Sequence, residues 1–137
     1  MPAVPVILPR KLAALLLPLG FLVAPVAAQG PALAMLDGLD KGQWELRYRD
    51  GSTPRRICVR NGRQFLQLRH QQPGCSRAVV EDGPGNVTVQ YTCRGDGYGR
   101  TTVRRETSSL VQVESQGIAD GLPFQFGAEA RRVGSCR

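Results

Sequence analysis

The stretch "CSRAVVEDGPGNVTVQYTC", residues 75–93, decides the fold because it reads as a β-hairpin with a cysteine at each end. Two runs rich in valine flank the turn Gly-Pro-Gly. A register that pairs Asp82 with Asn86 places Cys75 opposite Cys93 on one face of the pleat. A neighbouring register makes the two cysteines diagonal, and a slip of one residue moves them to opposite faces. The spacing therefore predicts both a hairpin and a disulfide across it.

The chain contains four cysteines, an even number that favours two disulfides over free thiols in an exported protein. Zinc sites need closely spaced ligand pairs, whereas the nearest two cysteines here are 17 positions apart, so we expect no metal. The hairpin favours Cys75 with Cys93, which leaves Cys58 with Cys136. The sequential pattern, Cys58 with Cys75 and Cys93 with Cys136, is the alternative.

The chain on either side of the hairpin continues as short strands separated by turn signals. In "QWELRYR", residues 43–49, aromatic and apolar side chains alternate with charged ones, which predicts one inward and one outward face. The pattern predicts an all-β fold, an antiparallel meander that forms a strongly curved sheet or a small barrel. The further candidate strands are 55–60, 100–107, 109–116 and 123–133.

One short helix is predicted near residues 62–69. Asn61 is suited to cap its first turn, with Gln64 reaching back from the third position, and Phe65 and Leu68 share one face. We expect no other helix in the mature chain.

The N-terminal residues 1–28 have the pattern of a secretory signal peptide. Arg10 and Lys11 precede an apolar run with small residues at its end, and the run is shorter than the roughly 20 apolar residues that span a bilayer. Cleavage after Ala28 is predicted, and cleavage after Ala34 is the alternative. We expect a flexible lead over 29–41, a single β domain over 42–137, and a periplasmic or secreted protein without a membrane span.

The charge balance is basic. The formal net charge of +7 falls to +5 when Arg10 and Lys11 leave with the signal peptide, and Lys41 is then the only lysine. So many arginines would suit an anion-binding surface. A base-composition bias toward arginine codons explains them as well, and their dispersal along the chain favours that explanation. We expect no nucleic-acid partner.

The loop "RGDGYG", residues 94–99, combines an adhesion-like tripeptide with three glycines. A phosphate cradle needs a helix directly behind the glycines, and a strand is predicted there instead. The tripeptide arises easily by chance in a chain rich in arginine and glycine. The loop is therefore predicted to be a hairpin tip.

Catalytic patterns are scarce. His70 is the only histidine, and at the end of an amphipathic helix it is expected to be a solvated or capping residue, because a triad would need a nucleophile and a carboxylate beside it. The serines lie outside any G-x-S-x-G elbow. We assign no catalytic, cofactor-binding or metal-binding residue.

The order of these features resembles the domain of unknown function 3617 family, small exported proteins of Gram-negative bacteria, and is most similar to sphingomonad-like members. The resemblance covers nearly all of residues 42–137. It implies a periplasmic location, a β-rich fold and no assigned catalytic residues. The commoner members have a "CLTPE"-like start after the first cysteine, where this chain has "CVRNGRQFLQL". The marks of the resemblance are Gly42, Trp44, Glu45, the four cysteines and the terminal Arg132, Val133, Gly134 and Cys136.

Two classes of function remain open. The first is a non-catalytic envelope module that is structural or binds a partner protein or an amphiphile, and an arginine-rich binder of anionic lipid or glycan is a variant of it. The second is a small hydrolase or isomerase that uses His70, which requires an acid within reach of that ring. Trp44, Tyr91, Phe124 and Phe126 are the predicted structural core, and with Tyr48 they are also candidates to line a concave binding face.

Overall fold

The fold is built on one antiparallel sheet of seven strands, seen in a computed structural model whose described residues are 2–5 and 32–137. The predicted signal peptide, residues 1–28, lies outside the described residues apart from 2–5. The helical segments are α1, Ala34–Asp37, and a 3₁₀-helix, Gly62–Gln67. The strands are β1 (Gly42–Tyr48), β2 (Arg55–Val59), β3 (Ser76–Asp82), β4 (Asn86–Cys93), β5 (Gly97–Thr107), β6 (Leu110–Ala119) and β7 (Leu122–Gly134).

The strand order across the sheet is β2-β1-β7-β6-β5-β4-β3. Strands β3 to β7 form a meander in which each strand pairs with the next, and the hairpin β1–β2 then joins the far side by pairing β1 with β7. One cleft is lined by residues from both edge strands, β2 and β3, so the sheet curves until its edges face each other. The predicted all-β class is confirmed, and the sheet stays open.

The concave face of the sheet contains the core. Trp44 and Leu46 are fully buried, whereas Arg47 on the opposite face is exposed and pairs with Glu45. The alternation expected in residues 43–49 is therefore present. The buried apolar core comprises Leu33, Met35, Leu36, Leu39, Trp44, Leu46, Val59, Phe65, Leu66, Leu68, Val87, Val89, Val103, Val111, Val113, Ala128 and Ala130.

The 3₁₀-helix covers the core from the concave side. Asn61 Oδ1 accepts a hydrogen bond from the Arg63 amide at 2.8 Å, and Gln64 Oε1 accepts one from the Asn61 amide at 3.0 Å. This is the capping box that the sequence predicts. The rings of Phe65 and Trp44 pack edge to face with centroids 5.1 Å apart, so two of the largest buried side chains join the helix to the sheet. The helix ends at Gln67, two residues earlier than predicted.

Helix α1 was not expected, because residues 29–41 were interpreted as a flexible lead. In the structure Leu33, Leu36 and Leu39 are buried and pack against the 3₁₀-helix and β4. A helix of four residues has almost no stability of its own, and its order comes from the apolar surface that it buries. Within the described residues, the predicted lead therefore contributes side chains to the core of the domain.

The cysteine hairpin has the predicted register only in its cysteine half. Val79 pairs with Val89, but a bulge at Val80 shifts the pairing, so that Asp82 lies opposite Val87 rather than Asn86. The bulge inserts one residue into the edge strand, and the side chain of Val80 is 51% exposed. The bulge changes the pairing of residues near the turn and leaves the pairing near the cysteines as predicted.

Two disulfides join Cys75 to Cys93 and Cys58 to Cys136, the same pairs that the hairpin register favours. The first spans the β3–β4 edge hairpin, with Cα atoms 4.4 Å apart. The second ties the β2 edge to the chain that follows β7, with Cα atoms 5.4 Å apart. Each disulfide therefore secures one edge of the open sheet, where the fewest backbone hydrogen bonds hold the chain.

Candidate functional site

His70 lies inside the protein and not at the solvated position that was expected, since only 3% of its surface is exposed. Its Nε2 atom is 3.0 Å from the Asp96 carbonyl oxygen and its Nδ1 atom is 2.8 Å from the Tyr91 hydroxyl. A carbonyl oxygen only accepts, so Nε2 donates to Asp96, while Nδ1 is paired with the Tyr91 hydroxyl. Both ring nitrogens are thus used in holding the structure together.

Tyr91 is the partner that completes this buried pair. It is 1% exposed, and burial raises the pKa of its hydroxyl, an effect only partly opposed by the charge of Arg69. The hydroxyl therefore stays protonated and able to donate. Gly99 makes room for it, because a Cβ atom at that position would lie 2.4 Å from the Tyr91 oxygen. The glycine is a packing requirement on β5.

The geometry does not supply the acid that a His70 enzyme requires. The Asp96 carboxylate accepts from Gln72 Nε2 at 2.9 Å, and only its backbone carbonyl faces the ring. Among residues 2–5 and 32–137 no carboxylate forms a hydrogen bond with His70. His70 is in a position to anchor the 94–96 turn to the chain that follows the 3₁₀-helix.

The loop at residues 94–99 is the tip of the β4–β5 hairpin. The Asp96 amide donates to the Cys93 carbonyl at 3.0 Å, and Gly95 and Gly97 have φ values of 85° and 113°. These left-handed values suit glycine. Strand β5 begins at Gly97, earlier than predicted, and the turn itself comprises residues 94–96.

A row of aromatic rings runs from His70 and Tyr91 to Tyr48 at the end of β1. His70 is 5.3 Å from Tyr91 and 5.9 Å from Phe124, Phe124 is 6.3 Å from Phe126, and Phe126 is 5.7 Å from Tyr48, all between ring centroids. These distances lie within the range of favourable aromatic contacts. We call these five residues the aromatic row.

The aromatic row changes from buried to half-exposed along its length. Of the four residues predicted as core, Trp44 and Tyr91 are fully buried, but Phe124 and Phe126 are only partly buried. The prediction is therefore wrong for Phe124, whereas Phe126 packs against the core without being fully buried. They lie near the start of β7, where both line a cavity.

The half-exposed end of the row lines a cavity of about 520 Å³, which we call the open-end cavity. This volume is in the range of small-molecule sites. Its apolar wall is formed by Tyr48, Phe124, Phe126 and Leu68, and Pro123 closes one side. Its polar lining comprises Asp50, Ser52, Arg55, Arg69 and Gln125.

Two arginines and one acid face the open-end cavity. The Cζ atom of Arg69 lies 5.5 Å from the centroid of the Phe124 ring, a cation–π contact. Asp50 accepts hydrogen bonds from the Ser52 hydroxyl at 2.7 Å and amide at 2.9 Å, which lower the pKa of its carboxyl group. Arg55 is the first residue of β2 and is exposed.

A second cavity of about 550 Å³ runs between the edge strands β2 and β3 and shares Arg55 and Leu68 with the open-end cavity. Its other arginines have partners. Arg63 pairs with Asp37, and Arg77 donates to the side chain of Gln67. The two cavities are neighbours that share this part of their lining.

Neither a metal centre nor a membrane-spanning helix is found in the part of the chain that the structure describes. Residues 2–5 and 32–137 contain no group of three or more His, Cys, Asp or Glu side chains arranged to hold a metal ion. No helix within these residues has the length and apolar character needed to cross a bilayer.

Comparison with known proteins identifies a family and no function. No curated protein and no solved structure matches the chain. A family model described as "Protein of unknown function (DUF3617)" matches residues 39–136, which include every strand of the sheet and all four cysteines. The chain therefore belongs to the DUF3617 family.

Proposed function

We propose that this protein is an exported binding module of the Gram-negative envelope, without catalytic activity, and that its ligand is an amphiphile seated in the open-end cavity. The observation that carries the proposal is the half-exposed part of the aromatic row. Tyr48, Phe124 and Phe126 present aromatic surface to a cavity large enough for a small molecule. Apolar rings exposed around a concavity favour a ligand with an apolar part.

The space inside the curved sheet is filled by side chains, which favours a ligand site at the end of the sheet rather than inside it. Trp44, Phe65 and Leu46 are fully buried, and the rings of Trp44 and Phe65 are in contact. The space under the 3₁₀-helix is therefore occupied by side chains. The open-end cavity, in contrast, leaves room for a ligand tail beside Phe124 and Phe126.

Export is supported by the two disulfides, which persist in oxidising compartments such as the periplasm. The described residues also bear on the predicted cleavage site. Cleavage after Ala34 would remove buried Leu33, whose carbonyl accepts from the Leu36 amide at 3.0 Å. We infer that cleavage occurs after Ala28. N-terminal sequencing of the protein from the periplasm should begin at Gln29, and a sequence that begins at Met35 would contradict this inference.

Binding is tested with N-phenyl-1-naphthylamine, a neutral apolar dye that fluoresces when it leaves water. The wild-type protein should bind it, and Phe124→Ala should weaken binding about tenfold because one aromatic wall is lost. Phe124 is preferred to Phe126 for the test because Phe126 also packs against the core.

The matched control is Leu122→Ala. Leu122 is in the same β6–β7 hairpin, is 69% exposed and does not line the open-end cavity, so its loss should leave dye binding unchanged. Equal dye affinity in the Phe124→Ala variant and the wild type would show that the dye binds elsewhere and would reject the open-end cavity as the site. Melting curves of both variants establish that each is folded.

A further inference from the structure

We propose that the open-end cavity selects amphiphiles with an anionic head, and that Arg55 and Arg69 bind that head. This inference rests on the proposed function and deepens it, because it names the chemical class of the ligand. The heads that fit share oxygen atoms that accept from guanidinium groups, namely phosphate and carboxylate.

Arg55 occupies a position where the strand pattern calls for an apolar residue. In β2 it pairs with buried Leu46, and the next two residues on the same face are Ile57 and Val59, which lie opposite Trp44 and Gly42. Residues opposite each other in an antiparallel pair share a face. The guanidinium of Arg55 therefore lies on the concave side, at the border of the two cavities that it lines.

Arg69 is held at the same opening by its contact with Phe124. A guanidinium that stacks on an aromatic ring keeps its N–H groups free at the edge of its plane, where they can bind oxygen atoms. The ring contact also limits the rotamers of the side chain before any ligand arrives, which lowers the entropy cost of binding.

Arg55 and Arg69 are the two arginines that line the open-end cavity. Neither Arg55 nor Arg69 forms an ion pair or a side-chain hydrogen bond within the described residues, although both are beside a cavity. Asp50, the acid in the same lining, is already bonded to Ser52 in its own turn. The arginines that do form ion pairs with carboxylates are Arg47, Arg49, Arg56, Arg63, Arg104 and Arg131.

The charge of the lining therefore favours an anion. Two guanidinium groups without carboxylate partners face one carboxylate, and the apolar rings beside them exclude part of the water that would screen a bound head. A long-chain ligand would place its tail against Phe124 and Phe126 and its head between the two arginines.

The test measures displacement of N-phenyl-1-naphthylamine by four amphiphiles with matched eight-carbon tails, each below the concentration at which it forms micelles. The set is octyl phosphate, nonanoate, octyl glucoside and octyltrimethylammonium. We expect the two anions to displace the dye at about tenfold lower concentration than the glucoside, and the cation to be the weakest. A difference between phosphate and carboxylate distinguishes a lipid phosphate from a fatty acid as the source of the head.

Substitutions of the two arginines connect this preference to them. Arg55→Gln and Arg69→Gln should each reduce the ratio of anion to glucoside affinity several-fold, and Arg69→Lys should retain part of it. Both side chains are exposed, so folding should persist. The control is Arg56→Gln, which removes the same charge from the adjacent position on the opposite face, where Arg56 pairs with Glu45, and should leave the ratio unchanged.

The outcomes separate the two proposals. Equal displacement by octyl phosphate and octyl glucoside, with the dye still bound in a Phe124-dependent way, would overturn the anion preference and leave the proposed function standing. Failure of the wild-type protein to bind the dye or any of the four amphiphiles would overturn both. A ratio that falls as much in Arg56→Gln as in Arg55→Gln would assign the preference to net charge and would also overturn the proposal.

Discussion

At the scale of single residues, His70 shows how burial changes the role expected for a side chain. A lone histidine after a short helix is usually solvated, but here it connects the Tyr91 hydroxyl to the Asp96 carbonyl inside the protein. Buried polar groups need partners, and each of these three groups is the partner of another. The pair therefore contributes to stability and to the position of the β4–β5 turn.

His70→Ala should lower the free energy of unfolding by about 2 to 4 kcal/mol, because it leaves a cavity and a buried tyrosine hydroxyl without a partner. Urea unfolding followed by circular dichroism measures the change. Asp96→Ala is the control, since its carboxylate makes only one side-chain hydrogen bond, to Gln72, and its backbone carbonyl remains. A His70→Ala protein as stable as the wild type would contradict this role.

The buried hydroxyl of Tyr91 should make the stability of the fold depend on pH. Burial raises the pKa of its hydroxyl above the ordinary value of 10.0, so the unfolded chain releases this proton before the folded protein does. Its contribution is complete below pH 10 and is lost as pH rises through the raised folded pKa. Tyr91→Phe should flatten part of the fall in stability above pH 10, and Tyr98→Phe, which alters a half-exposed tyrosine, should not.

At the scale of elements, the two disulfides secure the two edge strands of an open sheet. The long bond closes 78 residues between β2 and the C-terminal chain, and the short bond closes 18 within one hairpin. In the chain-entropy description, a longer closed loop restricts the unfolded chain more. The two bonds should therefore differ in how much they stabilise the fold.

Removing each bond by paired serine substitutions tests this difference. Loss of the Cys58–Cys136 bond should cost about 4 to 5 kcal/mol and loss of the Cys75–Cys93 bond about 3 kcal/mol. Peptide mapping without reduction should yield these two linked pairs from the wild-type protein. A peptide that links Cys58 to Cys75 would contradict the pairing, and a larger loss from the hairpin bond would contradict the order.

At the scale of the whole molecule, α1 and the 3₁₀-helix cover the concave face that the strands leave apolar. α1 is connected to the 3₁₀-helix by the ion pair between Asp37 and Arg63, and an Arg63 guanidinium N–H donates to the Ala32 carbonyl at 2.6 Å. The described part of the domain therefore includes Ala32, ten residues before the first strand.

A chain that begins at Met35 should be less stable than one that begins at Gln29 by about 2 to 3 kcal/mol, because it lacks the buried side chain of Leu33. A chain that begins at Ala32 retains Leu33 and is the control, with stability equal to that of the longer chain. Urea unfolding of the three purified proteins measures these differences. Equal stability of all three would show that residues 32–34 contribute nothing to the fold.

The sequence by itself determined the features that depend on neighbours in the chain. Alternation in residues 43–49 indicated which side chains face inward, the capping box at Asn61 indicated a helix start, and the hairpin spacing indicated the pairing of Cys75 with Cys93. Each of these patterns is local, because a pleat, a helical turn and a hairpin place residues at fixed short separations.

Only the tertiary structure decided the features that depend on distant parts of the chain. The pairing of β1 with β7 leaves the sheet open, the packing of Leu33 and Leu36 orders α1, and the approach of the 94–96 turn buries His70. The open-end cavity arises in the same way, because Phe124 meets Arg69 across a separation that no local pattern encodes. These contacts are set by how the curved sheet and its covering helices exclude water together, and that is a property of the whole fold.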